Sequence, residues 1–223
     1  MTTIYFARHG TTDYNRAERF QGTTDIPLND LGLFQADCLG KRFHPIHLDA
    51  VYSSPLIRAQ QTAQGICKYH PELSPICVPD LCELNGGIFE GQPIPNLIAS
   101  YPDLMESFRH KPAQFAAPSG ETAYQVYTRI RAAVHQLIAS HPNQTIVVVS
   151  HGFALLTYLG TLTRPFEELE PLIFGNAAVA CVEYHTPEQF HIVFMDDQSH
   201  LPPESRWNSR LWPKGNHSPD AVR

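Results

Sequence analysis

Apolar positions along the chain switch repeatedly between a spacing of two and a spacing of 3.6, so strands and helices are expected to alternate. Thr3 to Ala7 reads as a first strand. Leu31, Phe34, Cys38 and Leu39 recur at helical spacing, which predicts a helix over Asp30 to Phe43 with Asn29 as its cap. Asp49 to Ser53 reads as a short second strand. Ser54-Pro55 supplies a capping hydroxyl and then a proline at the first helical position, which predicts a helix from there to about Lys68. Ile76 to Val78 reads as strand.

The stretch at about 79–118 is rich in proline and glycine, with short helical pieces near Pro95 to Tyr101 and Leu104 to Arg109. It reads as a cap-like insertion over one end of the sheet. Ser119-Gly120-Glu121-Thr122 then opens a long amphipathic helix to Ser140, with Val126, Ile130, Val134 and Leu137 on one face. Thr145 to Val149 is a near-continuous apolar, β-branched run, the pattern of a central strand buried on both faces. A helix through Phe153 to Leu159 follows, and Ala178 to Glu183 with Phe190 to Phe194 alternate like a closing hairpin. The pattern predicts an α/β protein with a mostly parallel sheet: a single domain over 1–198 and a polar, proline-bearing tail over 199–223 that holds Trp207 and Trp212.

Composition narrows the function. At 223 residues, 43% apolar and 17% charged, the chain is that of an ordinary globular protein. A net charge of -6 gives no electrostatic footprint for nucleic acid or an anionic membrane, so an anionic substrate needs a local basic pocket. The amino-terminal residues lack a targeting pattern and no run of about 18 apolar residues occurs, from which a cytoplasmic protein is expected. The five cysteines show no Cys-x-x-Cys spacing, which argues for structural thiols over a disulfide framework or zinc knuckle.

In open α/β sheets ligands bind beyond the carboxyl ends of the strands. Three polar clusters fall at such ends: Arg8-His9-Gly10, Ser53-Ser54 with a helix bearing Arg58, and Ser150-His151-Gly152. A phosphomonoester dianion needs strong donors, and Arg8 and Arg58 offer planar forks that stay charged. Gly10 and Gly152 would let backbone approach the ligand, and nearby helix starts would aim N–H groups at it. Two histidines could divide the work, a neutral one attacking phosphorus and an imidazolium holding the equatorial oxygens. A strand-end histidine is more often structural, and the other ten show no comparable setting. No His-Glu-x-x-His, P-loop, Gly-x-Gly-x-x-Gly or Gly-x-Ser-x-Gly occurs.

The octapeptide Arg8-His9-Gly10-Thr11-Thr12-Asp13-Tyr14-Asn15 resembles the Arg-His-Gly-x-Thr-x-x-Asn signature of the histidine phosphatase superfamily, which includes the cofactor-dependent phosphoglycerate mutases. The resemblance continues through Arg19-Phe20-Gln21-Gly22, Tyr52-Ser53-Ser54-Pro55-Leu56-Ile57-Arg58-Ala59, Ser119-Gly120-Glu121-Thr122 and Val149-Ser150-His151-Gly152. It implies a three-layer α/β/α sandwich. It further implies His9 as the phosphorylated nucleophile, Arg8, Arg58, His151 and Gly152 as the phosphate pocket, Asn15 and Gln21 as further donors, and Glu83 as the general acid. Glu90 is the other candidate acid, but Glu90-Gly91 matches a structural element of the family.

Gly86 and Phe89 stand where the family often has an aromatic residue and tryptophan, which affects the substrate wall and not the phosphate site. The mutases' Glu-Arg-His-Tyr-Gly element is absent, so the resemblance favours the phosphatase branch. The expected activity is metal-independent hydrolysis of a small phosphorylated metabolite, without a cofactor, nucleic-acid or membrane partner, by a monomer or homodimer. A mutase and a non-catalytic regulatory member of the fold are the alternatives.

Overall fold

The computed structural model describes residues 1–172 and 174–206. Strands β1 (Thr2–Arg8), β2 (Ala50–Ser53), β3 (Ile76–Cys77), β4 (Thr145–Ser150), β5 (Val179–Thr186) and β6 (Gln189–Asp197) form one sheet in the order β3-β2-β4-β1-β5-β6. The first four strands run parallel, and β5 and β6 add an antiparallel side. β4 lies between β2 and β1, as its β-branched run predicts, with Ile146 to Ser150 all buried.

The period of two along β1 and β4 divides the core. Ile4, Phe6, Ile146 and Val148 pack with Val126, Ile130 and Val134 of α6 (Ala123–Ser140) and Ala154 and Leu155 of α7 (Gly152–Gly160). Ala7, Val147 and Val149 pack with Leu39 and Phe43 of α2 (Asp30–Phe43) and Ala59, Ala63 and Ile66 of α3 (Ile57–Cys67). Helices thus cover both faces of the sheet, the three-layer α/β/α arrangement. The 79–118 stretch forms α4 (Ile94–Ser100) and α5 (Pro102–His110), and Phe89, Leu97, Met105 and Phe115 tie it into the first core.

Two local departures from expectation bear on function. The helix predicted from Ser54 begins at Ile57, whose N–H donates to Asp25 Oδ1 at 2.7 Å. Ser54 is drawn instead to His151, with Oγ 2.7 Å from Nε2. The short helix α1 (Asp13–Arg16) was not expected, although Thr12 and Asn15 form a reciprocal capping box that Thr-x-x-Asn could have signalled.

Residues 199–206 lie against the domain. Leu201 joins the second core, Gln35 Nε2 donates to Ser205 O at 2.7 Å, and Arg42 Nη1 donates to His200 Nδ1 at 3.1 Å. Trp207 and Trp212 lie outside the described residues.

Candidate active site

The carboxyl ends of β1, β2 and β4 open into a cleft of about 330 Å³ lined by Arg8, His9, Asn15, Gln21, Arg58, Glu83 and Gly152, among others. His151 sits behind this lining, fully buried, its ring centroid 5.1 Å from that of His9. Every residue singled out in the sequence therefore gathers at one place.

His9 has a defined tautomer. Its Nδ1 lies 2.7 Å from Gly10 O, which can only accept, so Nδ1 carries the proton and Nε2 the lone pair. Arg58 Nε donates to that Nε2 at 3.2 Å. Burial above all, and then the charges of Arg58 and Arg8, hold the His9 pKa well below its ordinary value, so the imidazole is neutral. Burial, followed by Arg58, does the same to His151. The expected division into imidazole and imidazolium is thus corrected: a ring this deeply buried beside a guanidinium loses the proton. Ser54 Oγ, with no other acceptor among the described residues, donates to His151 Nε2, which leaves Nδ1–H as a donor without a partner among them.

Arg58 is fixed on every side. Nη1 donates to Thr24 O at 2.9 Å and Nη2 to Gly22 O at 2.7 Å. With its amide oxygen facing the guanidinium, Gln21 accepts from Arg58 Nε at 2.7 Å and Nη1 at 3.1 Å, and donates to Thr12 Oγ1 at 2.6 Å. Burial lowers the pKa of both Arg58 and Arg8 to about 10, so both stay charged at neutral pH. Gln21 thus bears first on Arg58. Asn15 Oδ1 accepts from Thr12 N at 3.1 Å and from Asn176 Nδ2 at 3.2 Å, while its own Nδ2 has no partner among the described residues.

Glu83 faces the start of α7. Oε1 accepts from Ala154 N at 3.0 Å and Leu84 N at 2.8 Å, and Oε2 from Phe153 N at 3.1 Å. The helix-start N–H groups of Phe153 and Ala154, expected to meet the ligand, are thus taken up by Glu83. Gly10 also has a different reason. A Cβ at Gly10 would come within 2.6 Å of Gly32 O, so backbone packing already requires that glycine, whereas one at Gly152 would meet Arg8 Cζ at 3.3 Å and ask that side chain to give by a few tenths of an ångström.

Of the residues that brace the site, sequence reasoning read Glu90 as part of a structural element and missed Arg129 and Asn176. Glu90 accepts from Thr23 N and Gly86 N, both at 2.8 Å, from Thr24 N at 2.9 Å, and from the Thr23 and Thr24 hydroxyls, fixing the loop whose carbonyls hold Arg58. That engagement agrees with its reading as a structural residue. Arg129 of α6 pairs with Glu121 and donates to Cys82 O at 2.6 Å and Glu83 O at 2.9 Å. Asn176 donates to His9 O at 3.2 Å and Gly10 O at 3.4 Å. Adjacency in sequence signals none of these. Gly86 yields space to Phe20, whose ring a Cβ there would meet at 2.4 Å, so this wall is rebuilt around Phe20.

The model of the histidine phosphatase superfamily (branch 1) matches residues 4–198. The chain belongs to this superfamily. It is 30% identical over 201 residues to the uncharacterized phosphatase PhoE of Bacillus subtilis (strain 168), covering 90% of this chain and 97% of that protein. It is 31% identical over 185 residues to the probable phosphoglycerate mutase GpmB of Yersinia pestis (strain Pestoides F), covering 82% and 86%. Among solved structures, YhfR of Bacillus stearothermophilus superposes with a TM-score of 0.82 at 31% identity, covering 90% of this chain and 99% of that one. Relatives of this superfamily chain thus include phosphatases and phosphoglycerate mutase-like proteins. No described helix is long and apolar enough to cross a membrane.

Proposed function

We propose that the protein is a phosphomonoester hydrolase that works without a metal ion, through a phosphohistidine on His9. The observation that carries this reading is the His9 tautomer: Nδ1–H is committed to Gly10 O and a neutral Nε2 faces Arg58 in the cleft. The Nε2 lone pair attacks phosphorus, the bond from phosphorus to the ester oxygen breaks, and the leaving oxygen takes a proton from Glu83. Arg8, Arg58, the Asn15 amide and His151 Nδ1–H are the donors suited to the equatorial oxygens. In the second step Glu83 takes a proton from water, water oxygen bonds to phosphorus, and the P–N bond breaks to release phosphate and restore His9.

The kinship with PhoE supports hydrolysis, as does the missing mutase element; kinship with GpmB keeps phosphoryl transfer between positions of a phosphoglycerate as the second reading. Two arginines already offer the charge neutralisation a metal would provide, and no cluster of three metal-ligating side chains occurs among the described residues. The test is rapid quench with a labelled phosphomonoester, in parallel with phosphate release in excess chelator. Acid-labile, base-stable label on wild type but not on His9→Ala, with release unchanged by chelator, is the expected result. Interconversion of 2- and 3-phosphoglycerate without net phosphate release would instead identify a mutase, and loss of activity with chelator would overturn metal independence.

A further inference from the structure

The mouth of the cleft carries charge that the chemistry above does not use. Arg16, Arg19, Arg109 and Arg206 line it, with Glu18 as the acid among them, in a chain whose net charge is -6. Arg19 Nη1 is held by Gly91 O at 2.7 Å and Arg206 Nε by Leu201 O at 3.1 Å, uncharged acceptors that orient the forks without neutralising them. Arg16, Arg19 and Arg206 make no ion pair among the described residues. Such a local excess attracts an anion beyond the phosphoryl group itself.

The same cleft has an apolar wall. Phe108 stacks on Phe153 with centroids 5.3 Å apart and 14° between planes, and Phe20 lies 5.2 Å from Phe108. Leu156 and Leu172 extend this surface.

Arg206 reaches the mouth only because residues 199–206 are latched to the domain. Leu201 is buried in the second core, and Ser205 O accepts from Gln35 Nε2. Gln35 Oε1 in turn accepts from Thr11 N at 2.8 Å, two residues from His9. The strap is thereby fixed to the same framework as the nucleophile.

We propose that the cleft selects an elongated phosphomonoester: an apolar segment against Phe20, Phe108 and Phe153, and a second anionic group read by Arg19 from the loop after α1 and Arg206 from the strap. The strap is then a specificity element. This rests on the hydrolase reading and deepens it. The test compares hexyl phosphate, 6-phosphooxyhexanoate and hexane-1,6-diyl bisphosphate, which share a primary alkyl leaving group, with p-nitrophenyl phosphate as a check on phosphatase activity. For the full-length enzyme at low salt, kcat/KM for both doubly anionic esters is expected to exceed that for hexyl phosphate by about tenfold, mostly through KM. Arg19→Gln and Arg206→Gln should each shrink that ratio by about threefold, Arg206→Lys should restore part of it, and added salt should erode it.

Equal kcat/KM for the three alkyl esters, or a ratio untouched by both Gln variants, would overturn the inference while p-nitrophenyl phosphate turnover leaves the hydrolase reading standing. Turnover of p-nitrophenyl phosphate alone would also overturn it, by removing the apolar segment. Loss of all four activities, with no phosphohistidine, would bring down the hydrolase reading itself.

Discussion

At the floor of the cleft the key side chains are held in place by protein partners, whereas at its mouth three of the four arginines are exposed and stand on α1, a loop and the strap. Arg58 donates to Gly22 O, Thr24 O, His9 and Gln21 from a fully buried position, and Glu83 accepts three backbone N–H groups. Arg206 is exposed, and its side chain makes one hydrogen bond, to the carbonyl of Leu201 in the strap. The difference teaches that the floor is preorganised for one kind of reaction, while the mouth can be re-equipped by changing exposed residues without disturbing the sheet. Changes at the floor should therefore cost rate, and changes at the mouth should alter selection.

The largest expected effect tests the floor directly. Under the proposed mechanism His9→Ala removes the attacking nitrogen and should lower kcat by at least about 10⁴-fold, measured as phosphate release from p-nitrophenyl phosphate. A residual rate within tenfold of wild type would break the contrast, because the floor would then be only a binding site. Glu83→Gln comes next. Its amide oxygen keeps one of the two acceptor contacts to α7 while its NH2 loses the other, and the amide cannot give up a proton, so turnover of alkyl phosphates should fall about 10³-fold. The deficit should shrink for p-nitrophenyl phosphate, whose leaving group needs less protonation; equal losses on both would argue that Glu83 braces α7 and is not the acid.

Glu90→Ala probes the support one layer out. Five hydrogen bonds to Thr23, Thr24 and Gly86 disappear, and the Gly22 and Thr24 carbonyls that aim Arg58 lose their anchor. About 30-fold in kcat/KM is expected, together with roughly 2 kcal/mol of stability from donors left without partners. Glu90→Gln, able to keep some acceptor contacts, should recover part of both. Loss of stability with no change in kcat/KM would show that Arg58 does not depend on this loop.

How far the sequence revealed each region follows from how each is built. β-Branched periodicity exposed β4, and the strand-end rule brought His9, Arg58 and His151 together, because these depend on neighbours along the chain. The pairing of Ser54 with His151 spans 97 residues and displaced a helix cap that local preference had supported. Glu90, Arg129 and Asn176 act on the site from 46 to 167 positions away, Arg129 and Asn176 through backbone carbonyls that carry no sequence signature. The protonation of His151 was misjudged because residue type does not report burial. Arg206 stayed hidden inside what reads as a polar tail, since a single buried Leu201 and one Gln35 contact are enough to latch it.

The smallest effect sharpens the contrast from the side of the strap. His200 feels the charges of Arg42, Asp197 and Arg206, and burial first, then Arg42, pulls its pKa down to about 4. Arg42 Nη1 donates to its Nδ1, a contact available only to the neutral ring. The unfolded chain takes up a proton near pH 6.5 and the folded strap does not until about pH 4. The contribution to stability is therefore complete above about pH 6.5, declines as pH falls through that window, and is exhausted below about 4. It amounts to roughly 3 kcal/mol over the whole window, about 2 of it lost by pH 5. His9 and His151 act with the same sign, so the measurement must isolate His200: denaturant unfolding of wild type and His200→Gln at pH 7.5 and pH 5. Their stabilities should converge by about 1–2 kcal/mol at the lower pH. If the two proteins instead lose stability in parallel, His200 is not the acid-sensitive latch, and the strap holds through Leu201 and the Gln35–Ser205 contact alone.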